Sequence, residues 1–174
     1  MRKIWRNVYN WGDPEKPIDK TIEHHINHFK HLLGIDGDRH DLPLNANAQQ
    51  EVKLDKKSKL TRAALKDLMR FVGSDNVKVD DFSRARHSFG KYYADILKMR
   101  MGKVAHPPDA VVCPRTEEDL IKVINYCNTK RIAVVPWGAG SSVTRALEAD
   151  KGGIALDLSV HLKDVLSLNA EDST

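Results

Sequence analysis

The segment from residue 136 to residue 142 has residue types and spacing suited to binding a phosphate group. It consists of Pro136, Trp137, Gly138, Ala139, Gly140, Ser141 and Ser142. Glycines let a backbone approach an oxyanion closely and turn several N–H groups toward it, and serine hydroxyls add further donors. We therefore expect this glycine-serine segment to bind a phosphate or a pyrophosphate. A purely structural turn is the alternative that the residues alone leave open.

The glycine-serine segment departs from the two common phosphate-binding motifs. Gly138 and Gly140 fit the first two glycines of the dinucleotide fingerprint, but Val143 occupies the third position. A P-loop is excluded because no Gly-Lys-Ser/Thr ending follows. Neither serine lies in a nucleophile elbow, so the sequence assigns no catalytic residue.

Histidines form the second group that could do chemistry. His24, His28 and His31 recur at i, i+4 and i+7, which places them on one helical face and could hold zinc. No carboxylate or cysteine is placed to complete such a site, so we interpret this face as a solvated polar face and predict no metal. His87 and His106 are interpreted as structural residues.

Composition indicates a globular protein of ordinary character. The chain has 174 residues, of which 41% are hydrophobic and 30% charged, and its net charge of +4 is scattered rather than gathered into a basic stripe. We therefore expect no nucleic-acid partner. Cys113 and Cys127 are too far apart for a metal knuckle and are predicted to be buried thiols. Residues 1–9 lack the apolar run of a signal peptide or a membrane span, so we expect a cytoplasmic protein.

The first hundred residues predict helices. Apolar residues recur at helical spacing over residues 17–33, 61–72 and 81–101, although Gly90 interrupts the third of these patterns. The arm before them contains Trp5 and Trp11, which are expected to pack against the rest of the protein. Polar residues 36–59 are expected to form a long exposed connection.

From residue 106 onward, short strands alternate with helical segments. Strands are predicted over residues 110–113, 132–135 and 153–158, and a helix is predicted after the capping residue Thr116. Residues 162–168 are expected to form a helical turn or a fourth strand. A strand, a crossover helix and a second strand make a βαβ unit, which predicts parallel pairing.

Two stretches of this sequence resemble a known flavoprotein family. The stretch PPDAVVCPRTEEDLIKVINYCNTKRIAVVPWGAGSSVTRALE, with the later GGIALDLS, resembles the start of the FAD-binding domain in the family that includes vanillyl-alcohol oxidase and D-lactate dehydrogenases. Upstream, NVYNWGD and FSRARHSFGKYYADILKMRMGK are similar to the front end of the alkyldihydroxyacetonephosphate synthases. The resemblance implies an α+β fold: a helical N-terminal region, residues 1–105, and then the first, truncated βαβ lobe of a vanillyl-alcohol-oxidase-type FAD-binding domain, residues 106–174.

The resemblance also implies a cofactor and its ligands. All seven residues of the glycine-serine segment would wrap the FAD pyrophosphate, with backbone N–H groups as the main donors. FAD would be noncovalent, because residues 135–143 contain no histidine or cysteine to bond it. This chain alone is expected to bind FAD weakly or not at all, since the remaining FAD contacts, the substrate site and the catalytic residues would lie beyond Thr174. Ala139 and Arg145 depart from the usual residues of the family's loop.

Three functions remain open at this stage. The chain would be the N-terminal, FAD-pyrophosphate-binding part of an FAD-dependent oxidoreductase or synthase of the alkyldihydroxyacetonephosphate synthase type. Alternatively, it would be part of an FAD-linked D-lactate or 2-hydroxyacid dehydrogenase. The third possibility is a non-catalytic interaction module, whose exposed strand edge would favour association with another chain, including a homodimer.

Overall fold

The computed structural model describes residues 2–9, 28, 31–32, 48–169 and 171. The helix predicted over residues 17–33 lies outside these residues except at His28, His31 and Leu32, which are helical and exposed. Trp11 and most of the predicted connection before residue 48 also lie outside the described part of the chain.

Besides the helical residues 28, 31 and 32, the described residues form five α-helices and four β-strands. The helices are α1 (Arg6–Tyr9), α2 (Arg62–Val72), α3 (Asp81–Arg86), α4 (Tyr93–Arg100) and α5 (Glu117–Lys130), and the strands are β1 (Val77–Lys78), β2 (Ala110–Val112), β3 (Val134–Trp137) and β4 (Ile154–Asp157). Among the described residues, no helix combines the length and the apolar character needed to cross a membrane.

Helix α5 begins where its sequence predicts. The Thr116 hydroxyl accepts a hydrogen bond from the backbone N–H of Asp119 at 3.2 Å, which satisfies one of the N–H groups left free at a helix start. Three acidic residues occupy the first turn, where the helix dipole favours negative charge. Cap and charge together fix the start of the helix that crosses from β2 toward β3.

Replacing Thr116 by alanine is expected to lower the free energy of unfolding by about 1 kcal/mol, because the Asp119 N–H then loses its acceptor. Urea-induced unfolding followed by circular dichroism measures the change. The matched control is Thr129→Ala in the same helix. Thr129 donates its hydroxyl to Asn125 O within the helix, a bond that contributes little to helix stability. Equal losses in the two variants would show that the Thr116 cap contributes nothing specific.

The sheet has the strand order β1-β2-β4-β3, with β2, β4 and β3 parallel and β1 antiparallel to β2. The expected α+β fold class and the parallel arrangement are confirmed. However, β4 lies between the two strands that the βαβ pattern joins. All four residues of β4 are buried, which is typical of a central strand covered on both faces. Strand β1 was not foreseen, because two residues are too few to show an alternating pattern.

Helices cover both faces of the sheet. On one face, α2 and α5 pack over the strands and form the larger core: Leu68, Val72, Val77, Ala110, Val112, Val123, Cys127, Ile154 and Leu156. On the opposite face, Val111, Cys113 and Ala155 form a smaller cluster, and α3 contacts β2. The Arg84 side chain of α3 donates to the Pro108 carbonyl at 2.8 Å, which ties this helix to the entry of β2.

The N-terminal arm docks, as its aromatic residues predict. Trp5, Val8 and Tyr9 are buried in a second core cluster together with Phe82 and other residues of the α3–α4 region. Backbone bonds join the arm to residues 48–52, including Trp5 N–H to Gln50 O at 3.0 Å. Within residues 48–59, the connection expected to be exposed therefore pairs with the arm.

The single long helix predicted over residues 81–101 is wrong. The chain forms α3, leaves the helical path, and begins α4 at Tyr93. The interruption lies around Gly90 and Lys91, whose backbones meet the carbonyl of Ser142. A contact with a distant part of the chain therefore outweighs the local helical preference.

The helical turn or fourth strand predicted over residues 162–168 is also absent. These residues form neither helix nor strand, and Val165, Leu166 and Leu168 are exposed. Their apolar character led to the prediction, but no neighbouring element among the described residues covers them. Hydrophobicity alone does not define a strand when no pairing partner is present.

Candidate functional site

The glycine-serine segment lies at the carboxyl end of β3. Its first two residues, Pro136 and Trp137, belong to the strand itself and pair with Leu156 and Asp157 of β4, so the predicted turn begins two residues later. Pro136 is tolerated in β3 because this strand is at the edge of the sheet, where one row of backbone donors is unpaired. The connection from β3 to β4 consists of bends and turns rather than a helix.

Beyond the strand, the backbone presents a continuous run of hydrogen-bond donors. Within the described part of the chain, the N–H groups of residues 138–143 donate to no protein acceptor. Gly138, Ala139 and Ser141 are exposed to solvent, and the Ser142 hydroxyl is 3.4 Å from the Thr144 hydroxyl. Successive unpaired N–H groups in a turn form a concave positive surface that suits an anion.

The two glycines of the turn serve different purposes. Gly138 has no heavy atom within 4 Å of the position that a Cβ would occupy, so the backbone there is open to a ligand. Gly140 has φ = +66°, and a Cβ on it would overlap the indole ring of Trp137. Gly140 is therefore required by the fold, whereas Gly138 leaves space in front of the donors.

The backbones of Gly90 and Lys91 contact the turn at the Ser142 carbonyl, a role that the sequence did not predict. The Lys91 N–H donates to the Ser142 carbonyl at 2.6 Å, and a Cβ on Gly90 would overlap the same carbonyl oxygen. The available signal was Gly90 itself, a glycine inside an otherwise helical pattern. Such a glycine often marks a close approach of two backbones.

A buried histidine–aspartate pair lies beside the turn. His87 Nε2 is 2.9 Å from Asp157 Oδ2 at the end of β4, and His87 Nδ1 donates to the Ser83 carbonyl at 2.8 Å. The other carboxylate oxygen of Asp157 accepts bonds from the N–H and hydroxyl of Ser159. The sequence-based interpretation of His87 as structural did not anticipate that its partner would be an ionisable group at the site.

Burial by itself raises the pKa of Asp157, but the hydrogen bonds from His87 and Ser159 together outweigh burial and hold the pKa below its ordinary value of 3.8. A carboxyl group with a lowered pKa in the folded state stabilises the fold above its ordinary pKa, and this stability is lost as the pH falls through the folded-state pKa. We therefore expect the stability of the wild-type protein to decline more steeply below pH 3.8 than that of Asp157→Asn. Urea unfolding over a series of acidic buffers measures how stability depends on pH in the wild type and in the variant. Identical slopes would contradict a lowered pKa of Asp157.

Arg145, the unusual residue after the turn, is held by carboxylates. Its guanidinium forms an ion pair with Glu148 and lies 3.9 Å from Asp95 Oδ1. Asp95 is fully buried on α4, and its Oδ2 has no hydrogen-bond partner among the described residues. The charge of Arg145 is therefore largely balanced by the protein itself.

Among the described residues, the other histidines, the cysteines and the acidic group near His106 do not form a site comparable to the turn. His28 and His31 are exposed, and the rest of the predicted histidine face lies outside the described residues. Burial raises the pKa of both Cys113 and Cys127 to about 11, with the Asp157 charge contributing at Cys113, so neither thiol is a ready nucleophile. His106, Glu148 and Asp150 lie within 4.8 Å of one another, but Glu148 is already paired with Arg145.

The chain, including the glycine-serine segment, is similar to known proteins. Residues 108–174 match a family model described as an FAD binding domain. Alkyldihydroxyacetonephosphate synthase of Caenorhabditis elegans is 27% identical over 94% of this chain, and that of Trypanosoma brucei brucei is 34% identical over 47%. The mitochondrial D-lactate dehydrogenase (cytochrome) of Arabidopsis thaliana is 39% identical over 40% of the chain.

A solved structure gives the same result for the fold. A structure of alkyldihydroxyacetonephosphate synthase superposes with a TM-score of 0.62 at 24% identity, covering 69% of this chain and 23% of that one. The chain spans only 13% to 27% of the length of the synthases named above. The expectation of FAD as the cofactor is confirmed at the level of the domain. Residues 108–174 are therefore similar to an FAD binding domain, and the resemblance of the chain to the alkyldihydroxyacetonephosphate synthases is confirmed.

Proposed function

We propose that the glycine-serine segment binds the pyrophosphate of FAD as part of an FAD-dependent enzyme similar to alkyldihydroxyacetonephosphate synthase. The observation that carries this proposal is the run of unpaired N–H groups over residues 138–143. These groups lie at the carboxyl end of β3, the edge where parallel sheets usually bind ligands, and within the matched segment. We also propose the boundary between the helical region, residues 1–105, and the FAD-binding part, residues 106–174.

The residues of the turn fit a diphosphate. Open space in front of Gly138 admits a phosphate oxygen close to the backbone, and the hydroxyls of Ser141 and Ser142 can add donors. Pro136 and Trp137 act indirectly, because both belong to the edge strand before the turn and the Trp137 ring supports Gly140. Ala139 donates through its backbone, for which an alanine serves as well as a glycine.

FAD, when bound, supplies reversible hydride and electron transfer. The chain's own residues bind and orient its diphosphate through backbone N–H groups, which are donors only and carry no net charge. No carboxylate of the turn opposes the anion, because residues 136–143 contain no acidic residue. The nearby cation, Arg145, is turned toward Glu148.

Isotope-edited NMR of the 174-residue chain tests the proposal, because it detects weak binding. Adding FAD is expected to shift the amide resonances of residues 138–143 in a saturable manner. Inorganic pyrophosphate should shift the same resonances, and riboflavin, which lacks phosphate, should not. If FAD leaves these resonances unchanged and also fails to bind to a longer protein that includes this chain and the remaining FAD contacts, the glycine-serine segment does not bind its pyrophosphate.

A D-lactate dehydrogenase is the second candidate, because the relative from Arabidopsis thaliana is 39% identical over its matched part. The two functions differ in the substrate that reacts with the flavin. Adding D-lactate without oxygen to a longer, FAD-loaded protein that includes this chain and the substrate site should bleach the flavin absorbance if the second candidate is correct. An unchanged spectrum would favour the synthase-like function.

A further inference from the structure

We propose that the buried pair His87–Asp157 is a positioning device for the glycine-serine segment. The pair fixes the Trp137 ring on which Gly140 rests and the start of the segment that carries Gly90 and Lys91. Its consequence for FAD binding rests on the function proposed above. The geometry of the turn itself does not depend on that function.

The pair is held rigidly from both sides. His87 and Asp157 are only 7% and 5% exposed, so neither side chain can exchange its partner for water. Both ring nitrogens of His87 lie within hydrogen-bond distance of oxygen acceptors, the Ser83 carbonyl and the Asp157 carboxylate. Ser159 holds the second carboxylate oxygen of Asp157. The imidazole plane is therefore fixed by bonds along two directions.

The fixed imidazole contacts the residue that supports the turn. The ring of His87 lies 4.6 Å from the ring of Trp137, centroid to centroid, at an interplanar angle of 53°. Trp137 is the register partner of Asp157 in the β3–β4 pair, so the three side chains lie together at one end of the sheet. Gly140 rests directly on the indole. A movement of His87 is therefore transmitted through one ring to the turn backbone.

A second contact with the turn comes from residues that follow His87 in the chain. Gly90 and Lys91 follow His87 closely, and their backbones hold the Ser142 carbonyl. Trp137 thus supports the donor run at Gly140, and the 90–91 backbone supports it at Ser142. His87 fixes both supports, which is a more specific role than filling the core.

A buried ionisable pair is a poor choice for stability alone, because apolar residues of similar volume usually stabilise a fold equally well. Its place at the carboxyl ends of β3 and β4, beside the turn, is consistent with a positioning role. His87 and Asp157 would touch neither FAD nor substrate. They act through Trp137, Gly90 and Lys91.

The test compares two substitutions of His87 with a matched control. His87→Phe keeps a ring against Trp137 but loses both hydrogen bonds, whereas His87→Gln keeps a donor for Asp157. Val123→Ala, in the core on the far face of the sheet, removes buried volume without touching the turn. If His87→Phe alone does not fold, the double variant His87→Phe/Asp157→Asn, which removes the unpaired charge, replaces it.

Amide resonances of residues 138–143 in the ligand-free chain are the first measurement, and affinity for FAD is the second. His87→Phe should shift these resonances and weaken FAD binding about tenfold, the loss expected when one displaced N–H of the turn no longer reaches the charged pyrophosphate. His87→Gln should restore most of the wild-type resonance positions and most of the FAD affinity. Val123→Ala should change neither the turn resonances nor the FAD affinity. If the turn resonances of His87→Phe move no more than those of Val123→Ala, or His87→Gln does not rescue them, the positioning role is wrong. Absence of FAD binding both in this chain and in a longer protein that includes the remaining FAD contacts would instead refute the proposed function, while the ligand-free resonances still decide the positioning role.

Discussion

Gly138→Asp is expected to weaken FAD binding at least about a hundredfold while leaving the stability of the fold unchanged. The position is open, since no heavy atom lies within 4 Å of a Cβ placed on Gly138, so the new side chain meets no steric conflict in the protein. Its carboxylate would stand among the N–H donors of residues 138–143. At a separation of about 5 Å and an effective dielectric constant of about 20, each phosphate charge is then opposed by about 3 kcal/mol. Because 1.4 kcal/mol corresponds to a factor of about ten, the expected loss is large.

Titration of FAD into a longer protein that includes this chain and the remaining FAD contacts measures the affinity, and thermal unfolding of the 174-residue chain measures the stability. Gly138→Asn is the matched control, because it has the shape of aspartate without the charge. Gly138→Ala tests the added volume alone. If Asn and Asp weaken FAD binding equally, crowding rather than charge is responsible. If neither substitution changes FAD binding, the pyrophosphate does not approach residue 138.

Local features of the fold could be predicted from the sequence because their causes lie within a few residues. The start of α5 follows from Thr116 and the acidic turn behind it, and the bounds of α2 follow from apolar spacing and Gly73. The docking of the N-terminal arm follows from the size of its aromatic residues. For the two helices the residues that determine the structure are neighbours in the chain, whereas for the arm the sequence predicts burial but not the distant residues that cover it.

The features that could not be predicted depend on residues far apart in the chain. Strand β4 pairs between β2 and β3 because its residues can be buried on both faces, and chain order does not reveal this. The break between α3 and α4 depends on Ser142, and the environment of His87 depends on Asp157, seventy positions away. A sequence pattern shows that Gly90 is unusual, but it does not show which backbone approaches it.

The same distinction between local and long-range causes applies to the candidate site. The donors of the turn were predicted, because glycine and serine after an apolar strand have a local meaning. The supports of the turn were missed, because Trp137, His87 and Gly90 acquire their roles only through tertiary contacts. The family resemblance supplied the ligand, but it did not supply the contacts that hold the turn in place.

Gly90→Ala is expected to lower the free energy of unfolding by about 2–3 kcal/mol and to weaken FAD binding. The added methyl group would overlap the backbone carbonyl of Ser142, and a backbone atom cannot rotate away as a side chain can. Either the segment around residue 90 or the turn must move, and the bond from Lys91 N–H to Ser142 O is lost or lengthened. Urea unfolding and FAD titration measure the two effects.

Gly138→Ala again provides the comparison, since it adds the same methyl group in open space and should not alter stability. Wild-type stability in Gly90→Ala would show that the close approach to Ser142 is not a constraint. Reduced stability with unchanged FAD binding would limit the role of this contact to the fold. Reduced stability together with weaker FAD binding would extend the FAD site beyond the matched domain. Gly90 lies before residue 108, where the match to the FAD binding domain begins. The helical front end would then be part of the structure that shapes the FAD site.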